Sequence, residues 1–390
     1  FKKWERRIDA WWVKKFGVSS GHDYVLNRLI SSDSILKTLN PNLLLIWNPY
    51  NPGYGILHDL AKIRGISCGY LEWGIIDKSI LIDARGILSL SLLKEVSIKF
   101  LQQEKEREFW KRIGDNYLKS LQTGRARTLI YEPKKANDAG FEWFSSNTNS
   151  LRVLCLGCAE YQAGMFPLEH RDRIVNLPLF ESGWHIADTL AKNNDWKVLY
   201  KAHPNGSLPR PHSVQSDNLR ESSVSAVDLI KAADVVLAWG TKLEVNVLAF
   251  GKPLVLVGAG LLWNKGCAYE VSNAGDLPML VEKAALNGVQ SSQLKSLMIY
   301  LGWLIEEELF LFASDAIPFE EVGASKQLQY VDRFTEKFSE ALSSESNVSK
   351  STVNFFMAQL KRERTERRLT QAKLKKYSNP IAHYKRALSR

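Results

Sequence analysis

The chain has 390 residues, of which 45% are hydrophobic and 24% charged; that is enough apolar material for two cores and excludes a chain disordered by default. Its formal net charge of +10 points to an acidic partner: a nucleotide sugar, an anionic glycan, nucleic acid or an anionic membrane face. No apolar run approaches the ~20 residues of a bilayer span, and no secretory leader pattern precedes the first domain, so a cytoplasmic location is expected.

Residues 1–35, with Trp4, Trp11 and Trp12 among Lys and Arg, read as a basic amphipathic helix that either caps the first domain or lies on a membrane surface. From Pro41 an α/β rhythm begins. Leu43-Leu-Leu-Ile-Trp47 has the solid apolar character of a strand inside a parallel sheet, the Asn/Pro/Gly stretch 48–55 is a loop, 56–64 is helical and 67–71 is the next strand, ending at Glu72. Such a βαβ unit puts its ligand side at the carboxyl ends of the strands. Helical sequence fills 92–125, and the polar stretch 134–150 predicts a domain boundary.

A second series follows: strand 151–157, a loop with Glu160, helix 183–194, strand 197–202, helix 224–232, strand 235–239, helix 242–250 and strand 253–257. The expected fold is therefore α/β and GT-B-like, two Rossmann-like domains facing a cleft, with basic C-terminal helices. The domains are 1–145 on the acceptor side, 146–328 for the nucleotide sugar, and 329–390 as a helical extension. Within that extension, 361–376 is rich in Lys and Arg, which suits a solvated helix face, contact with an anionic surface, or a tether to a glycosyltransferase module after residue 390 or to the inner membrane.

Candidate site residues cluster at strand ends. Lys201 and His203, two apart, point to one side if the strand is still extended, and can converge on one phosphate; Pro204 fixes the turn and Asn205-Gly206 opens the backbone. Gly240-Thr241-Lys242 combines a glycine turn, a plausible N-cap and a cation, a combination that favours anions. Glu244 on the first turn either accepts ribose hydroxyls or is an ordinary helix-face carboxylate. Glu160 and Glu72 follow apolar strands in the two halves and can act as acid/base and as nucleophile or cation stabiliser. Asp234 begins its strand, so structural capping is the simple account of it. Cys155 and Cys158 have C-x-x-C spacing, but no second pair or suitably spaced histidines follow; buried strand cysteines are expected rather than a metal site.

Taken in order, Glu72-x-Gly74, Ser79-Ile-Leu-Ile-Asp83-x-x-Gly86, Gly157-x-x-Glu160, Lys201-x-His203-Pro204, Ala233-Asp-Val-Val-x-x-x-Gly-Thr241-x-x-Glu244 and Gly251-Lys-Pro253 resemble the signatures of bacterial Kdo transferases of capsule and lipopolysaccharide assembly. The resemblance spans about 67–270 and is nearest to the retaining β-Kdo transferase module that ends certain O-antigen chains. Departures from the capsule pattern are Cys158-Ala-Glu160, Glu72-Trp-Gly-Ile75 and Gly240-Thr241. The resemblance implies transfer of Kdo from CMP-β-Kdo through a carboxylate-bound intermediate, with Glu160 and, by aligned position, Asp234 as the matching carboxylates. Gly74 and Asp83 enter as substrate-binding residues on the same basis. It implies an acceptor at the end of a lipid-linked O-antigen, no cofactor and no metal, no nucleic acid, and work at the cytoplasmic face of the inner membrane. An inverting sialyltransferase-like enzyme would share the donor seat, and a non-catalytic basic adaptor for membrane or nucleic acid would explain the terminal helices but not the strand ends.

Overall fold

The computed structural model describes residues 21–76, 79–87, 91–126, 137–146, 149–159, 182–203, 210–258, 260–311 and 324–339. In chain order these form α1 (Gly21–Leu39), β1 (Leu43–Trp47), α2 (Pro52–Ile63), β2 (Ser67–Trp73), β3 (Ser79–Asp83), α3 (Ile98–Gln103), α4 (Arg107–Gln122), α5 (Ala139–Ser145) and β4 (Leu151–Leu156). There follow α6 (Gly183–Ala191), β5 (Trp196–Lys201), β6 (Leu219–Glu221), α7 (Ala226–Ala232), β7 (Val235–Ala238), α8 (Leu243–Ala249), β8 (Leu254–Leu256), β9 (Tyr269–Glu270), α9 (Leu277–Asn287), α10 (Ser291–Trp303), β10 (Leu309–Leu311) and α11 (Ala324–Lys337).

The second half is built on a six-stranded sheet of order β6-β5-β4-β7-β8-β9, parallel throughout. Its strands are apolar on both faces because both faces are covered. Val153, Cys155, Val198, Tyr200, Val235, Leu237 and Val255 enter one core, while Leu154, Leu156, Leu199, Val236, Ala238, Leu254 and Leu256 enter the other. Counted in chain order the strands run 3-2-1-4-5-6, the doubly wound order in which the first strand lies between the two diverging sets.

The first half is a four-stranded sheet of order β1-β2-β3-β10. The β1–α2–β2 unit is parallel as expected, with the Asn51 side chain accepting from the Gly53 N–H to cap α2. Beyond it the sheet turns antiparallel, at β2/β3 and again at β3/β10, so this half is a mixed sheet. The helical expectation over 92–125 resolves into a short 3₁₀ turn, α3 and α4.

The chain also returns to the first half at its end. Helix α10 packs along α4, β10 completes the first sheet, and Phe338, just after α11, buries its ring over Gly69 of β2. Arg333 donates to the carbonyls of Glu306 and Leu309, and Lys337 to that of Ile82 at 3.1 Å and to the Glu308 carboxylate. A boundary at 328/329 therefore does not describe the packing: 291–311 and 324–339 belong with the first sheet. Local composition cannot show this, because an apolar helix stripe fits either sheet. One core cluster runs from Leu71, Ile80 and Ile82 through α4 and α10 to Leu154 and Val236, joining the two sheets. Among the described residues no helix is long and apolar enough to cross a membrane. The basic stretch 361–376 and the tryptophans of 1–20 lie outside the described residues.

Candidate active site

The topology itself selects one crevice. The chain leaves β4 towards β5 on one side and returns through β7 on the other, so the carboxyl ends of β4 and β7 form the switch point where open α/β sheets hold ligands. From β4 emerges Gly157-Cys158-Ala159, with the Gly157 N–H donating to the Lys201 carbonyl at 2.9 Å. From β7 emerges Trp239-Gly240-Thr241, where Gly240 takes φ +59°, a left-handed turn that suits glycine. Lys201 ends β5 next door, and His203 follows two residues later; both are half-buried. Glu160, Pro204 and Asn205 lie outside the described residues.

The environment of Lys201 contains acids that sequence reading missed. Burial lowers its pKa from the ordinary lysine value, partly offset by the negative charges of Asp138 and Glu221. Asp138 caps α5 through the Phe141 N–H at 2.9 Å and also takes the Ser223 N–H at 2.7 Å and the Ser222 hydroxyl at 3.1 Å. Burial pushes its carboxyl up, but these donors outweigh that and hold it below its usual value. Glu221, ending β6, is raised by burial despite Lys201 and Arg210 nearby. The signal for Asp138 was legible, since Asp138 stands at N-cap spacing before the apolar turn Phe141-Glu142-Trp143-Phe144. That of Glu221 was not, because its role depends on a strand of only three residues.

Lys242 and Glu72, read separately from sequence, meet in the structure. The Lys242 ammonium donates to Glu72 Oε1 at 3.1 Å, and the same oxygen accepts the Trp73 N–H at 3.0 Å. Glu72 is the penultimate residue of β2, so this pair spans the two halves and sets the carboxyl edge of the first sheet against that of the second. Lys242, not Thr241, occupies the N-cap position of α8 and caps nothing with its side chain; Thr241 Oγ1 instead accepts the Leu243 N–H at 3.4 Å. With seven residues, α8 is a short helix. At the neighbouring end of β1, Trp47 packs edge-on against the half-exposed Trp73, with ring centroids 4.6 Å apart.

Glu244 is shut off from solvent. It is fully buried, taking the Thr241 N–H at 3.2 Å on one oxygen and the Leu262 N–H at 3.4 Å on the other, so both the ribose reading and the helix-face reading give way to a brace between two loops. Asp83 and Gly74 are also accounted for structurally. The Asp83 carboxylate gathers the N–H groups of Arg85, Gly86 and Leu92 and the Ser91 hydroxyl, organising the turn after β3, and leaves little for a substrate. Gly74 closes the β2/β3 turn, where a Cβ would sit 2.0 Å from Ser79 Oγ.

Asp234 is at the wrong end of the sheet for catalysis at this crevice. It precedes β7 and binds Arg152 at the start of β4 through two side-chain hydrogen bonds of 2.6 and 3.0 Å and the Arg152 N–H at 2.9 Å. Parallel pairing keeps it about four residues, roughly 13 Å, from the Ala238 end. Burial raises its pKa, but the Arg152 bonds prevail and leave it below the usual value. A carboxyl with a lowered folded-state pKa stabilises the protein above its unfolded value, and the benefit fades as pH falls through the folded one. Asp234→Asn is therefore expected to cost about 1 kcal/mol at neutral pH, small because both partners are a third exposed, with the deficit lost in acid once the carboxyl is protonated, and activity retained. Denaturant titrations at neutral and acid pH check this, and a large loss of activity would return Asp234 to the site.

Cys155, Cys158 and Cys267 are buried and form no disulfide, and among the described residues no three His, Cys, Asp or Glu side chains gather as a metal site. The arrangement is a glycine-lined crevice flanked by cations, faced by a carboxylate from the opposite half.

No family model and no curated protein sequence matches the chain. Among solved structures, the beta Kdo 2,7 transferase of Thermosulfurimonas dismutans KpsC superposes with a TM-score of 0.45 at 14% identity, covering 81% of this chain and 97% of that one. The beta Kdo 2,4 transferase of the same organism's KpsC gives 0.45 at 15% identity, covering 66% and 78%. The Methanocaldococcus jannaschii UDP-GlcNAc 2-epimerase, solved with UDP-GlcNAc and UDP, gives 0.34 at 13%, covering 70% and 78%.

Proposed function

We propose that this chain is a GT-B-type glycosyltransferase that moves Kdo from CMP-β-Kdo to the non-reducing end of a lipid-linked O-antigen with retention of configuration. The observation that carries the reading is the switch-point crevice, where the glycine loops after β4 and β7 lie beside Lys201 and His203 and face Glu72. The ordered motifs from Glu72 to Pro253, which resemble those of Kdo transferases, support the choice of donor.

In this reading the CMP phosphate sits over Gly240 and Thr241, with Lys201 and His203 stabilising the charge that develops as the bond from the sugar carbon to phosphate oxygen breaks. Cationic side chains supply that stabilisation, so no divalent ion is needed. Glu160 captures the sugar carbon, and the acceptor hydroxyl then displaces it while a base takes the hydroxyl proton; in this reading Glu72, from the opposite half, is that base. Work at the cytoplasmic face of the inner membrane follows from a lipid-linked acceptor.

Titration calorimetry with CMP tests the donor seat, and heat is expected with CMP but not with cytidine. Transfer is then tested with CMP-Kdo generated in place and O-antigen fragments, with the product anomer read by NMR. Absence of CMP binding would sink the donor assignment, and an inverted product would sink the covalent step.

A further inference from the structure

Glu244 is a buried carboxyl that the proposed chemistry does not use, and its surroundings are unusual. It has 0% exposure and its two oxygens take N–H groups from two different loops, Thr241 after β7 and Leu262 after β8. Gly260 passes so close that a Cβ there would lie 2.6 Å from Glu244 Oε1, so the second loop is drawn onto the carboxyl. No salt bridge joins Glu244 to a cation among the described residues, although two lysines are near in sequence or space. Lys242 points to Glu72, and Lys265, itself buried, donates to the carbonyls of Lys94 and Val96 at 3.2 and 3.0 Å. The other titratable groups around it are Glu270, whose carboxylate takes the Asn264 N–H, and the buried Cys267 and Tyr300. A buried carboxylate held by amides alone keeps much of its desolvation cost, which a proton removes.

We infer that Glu244 is a positioning residue that clamps the 240–242 and 260–262 loops as the floor of the donor site, and that an anion settling over Gly240 and Thr241 is bound together with a proton on Glu244. The inference rests on the donor-site reading proposed above. Two facts support the proton. The first is geometric: the turn proposed to seat the phosphate donates its Thr241 N–H to Glu244 at 3.2 Å, so a phosphate there would be held near a second negative charge, and the repulsion in a water-poor setting disappears when the carboxyl is neutral. The second is that burial, reinforced by the charge of Glu270, raises the Glu244 pKa to about 8 even though the Thr241, Leu262 and Gly240 amides pull it down. At neutral pH the clamp is then mostly protonated and the site is ready for an anion. Above pH 8 the empty site carries a charge that must be neutralised on binding.

The sign follows directly. Binding the neutral form raises the Glu244 pKa further, so CMP affinity should fall as pH rises through 8, by about fivefold between pH 7 and 9 for a shift of about one unit. Lys201 and Lys265, both lowered by burial, lose charge over the alkaline range as well, Lys265 at about 8. Their contribution persists in Glu244→Gln, so the difference between the two proteins isolates the carboxyl. A measurement on the unaltered protein stands beside it: difference infrared spectra on adding CMP at pH 8 should show a gain in the carbonyl band of a protonated carboxyl, which no lysine produces. The expected result is that gain in the wild type, its absence in Glu244→Gln, and a flatter affinity profile in the variant. CMP binding to the wild type without the carboxyl band would overturn the inference alone, as would the same band in Glu244→Gln. Absence of CMP binding at every pH would overturn the donor reading and the inference with it.

Discussion

His203→Ala should lower Kdo transfer at least ~100-fold while leaving the fold intact, because it removes a cation or proton donor at the point where phosphate charge develops. The residue stands two positions beyond β5, which is hydrogen-bonded to β4 through Leu156 and Lys201, so its backbone is fixed beside the switch point by sheet pairing rather than by its own loop. The neighbouring Lys201 already has two acids, Asp138 and Glu221, acting on it, and part of its charge is answered inside the protein. The useful controls are Asp234→Asn, at the opposite edge, and Lys201→Met, which should weaken CMP binding more than it slows turnover. Single-turnover rates with saturating donor separate the two effects. Wild-type turnover in a His203→Ala protein with native circular dichroism would remove the residue from the mechanism.

The largest expected effect on stability lies in the core, at the crossing of α4 and α10. A Cβ on Gly302 of α10 would lie 1.7 Å from the carbonyl oxygen of Trp110 on α4, and a Cβ on Gly114 of α4 would lie 2.0 Å from the carbonyl oxygen of Met298 on α10. The two contacts are reciprocal and each pair is separated by one helical turn, so the helices touch backbone to backbone and no rotamer change can make room. Gly302→Ala is expected to cost about 3 kcal/mol or more, the upper end of overpacking penalties, since Trp110 and its neighbours Ile113 and Tyr117 are buried in the core that joins the two sheets. Gly114→Ala should behave alike. The double variant should cost less than the sum, because the first methyl already forces the helices apart. Urea unfolding of the three proteins measures this, and a change under 1 kcal/mol in Gly302→Ala would show that the helices can separate at little cost.

These two predictions divide between what local sequence can and cannot carry. The strands of the parallel sheet were legible because burial on both faces leaves unbroken apolar runs such as Val153-Leu-Cys-Leu156 and Val235-Val-Leu-Ala238, each followed by a glycine turn. The position of Asp234 at the start of its strand was legible for the same reason, and there it binds Arg152. Cys155 and Cys158 were legible as core residues.

By itself, then, the amino-acid sequence determined the α/β rhythm, the strand ends that carry Lys201, His203 and Gly240-Thr241, and the burial of Cys155 and Cys158, all of which depend on the period and polarity of neighbouring residues. Only the tertiary structure decided which strands pair and where side chains point once both are possible. It put Lys242 on Glu72 across 170 positions, turned Glu244 inward onto amides, gave Asp83 to its own loop, and returned α10, β10 and α11 to the first sheet. The physical reason is the same in each case: a carboxylate or an apolar stripe has many partners of equal local merit, and the choice among them is made by contacts between segments far apart in the chain.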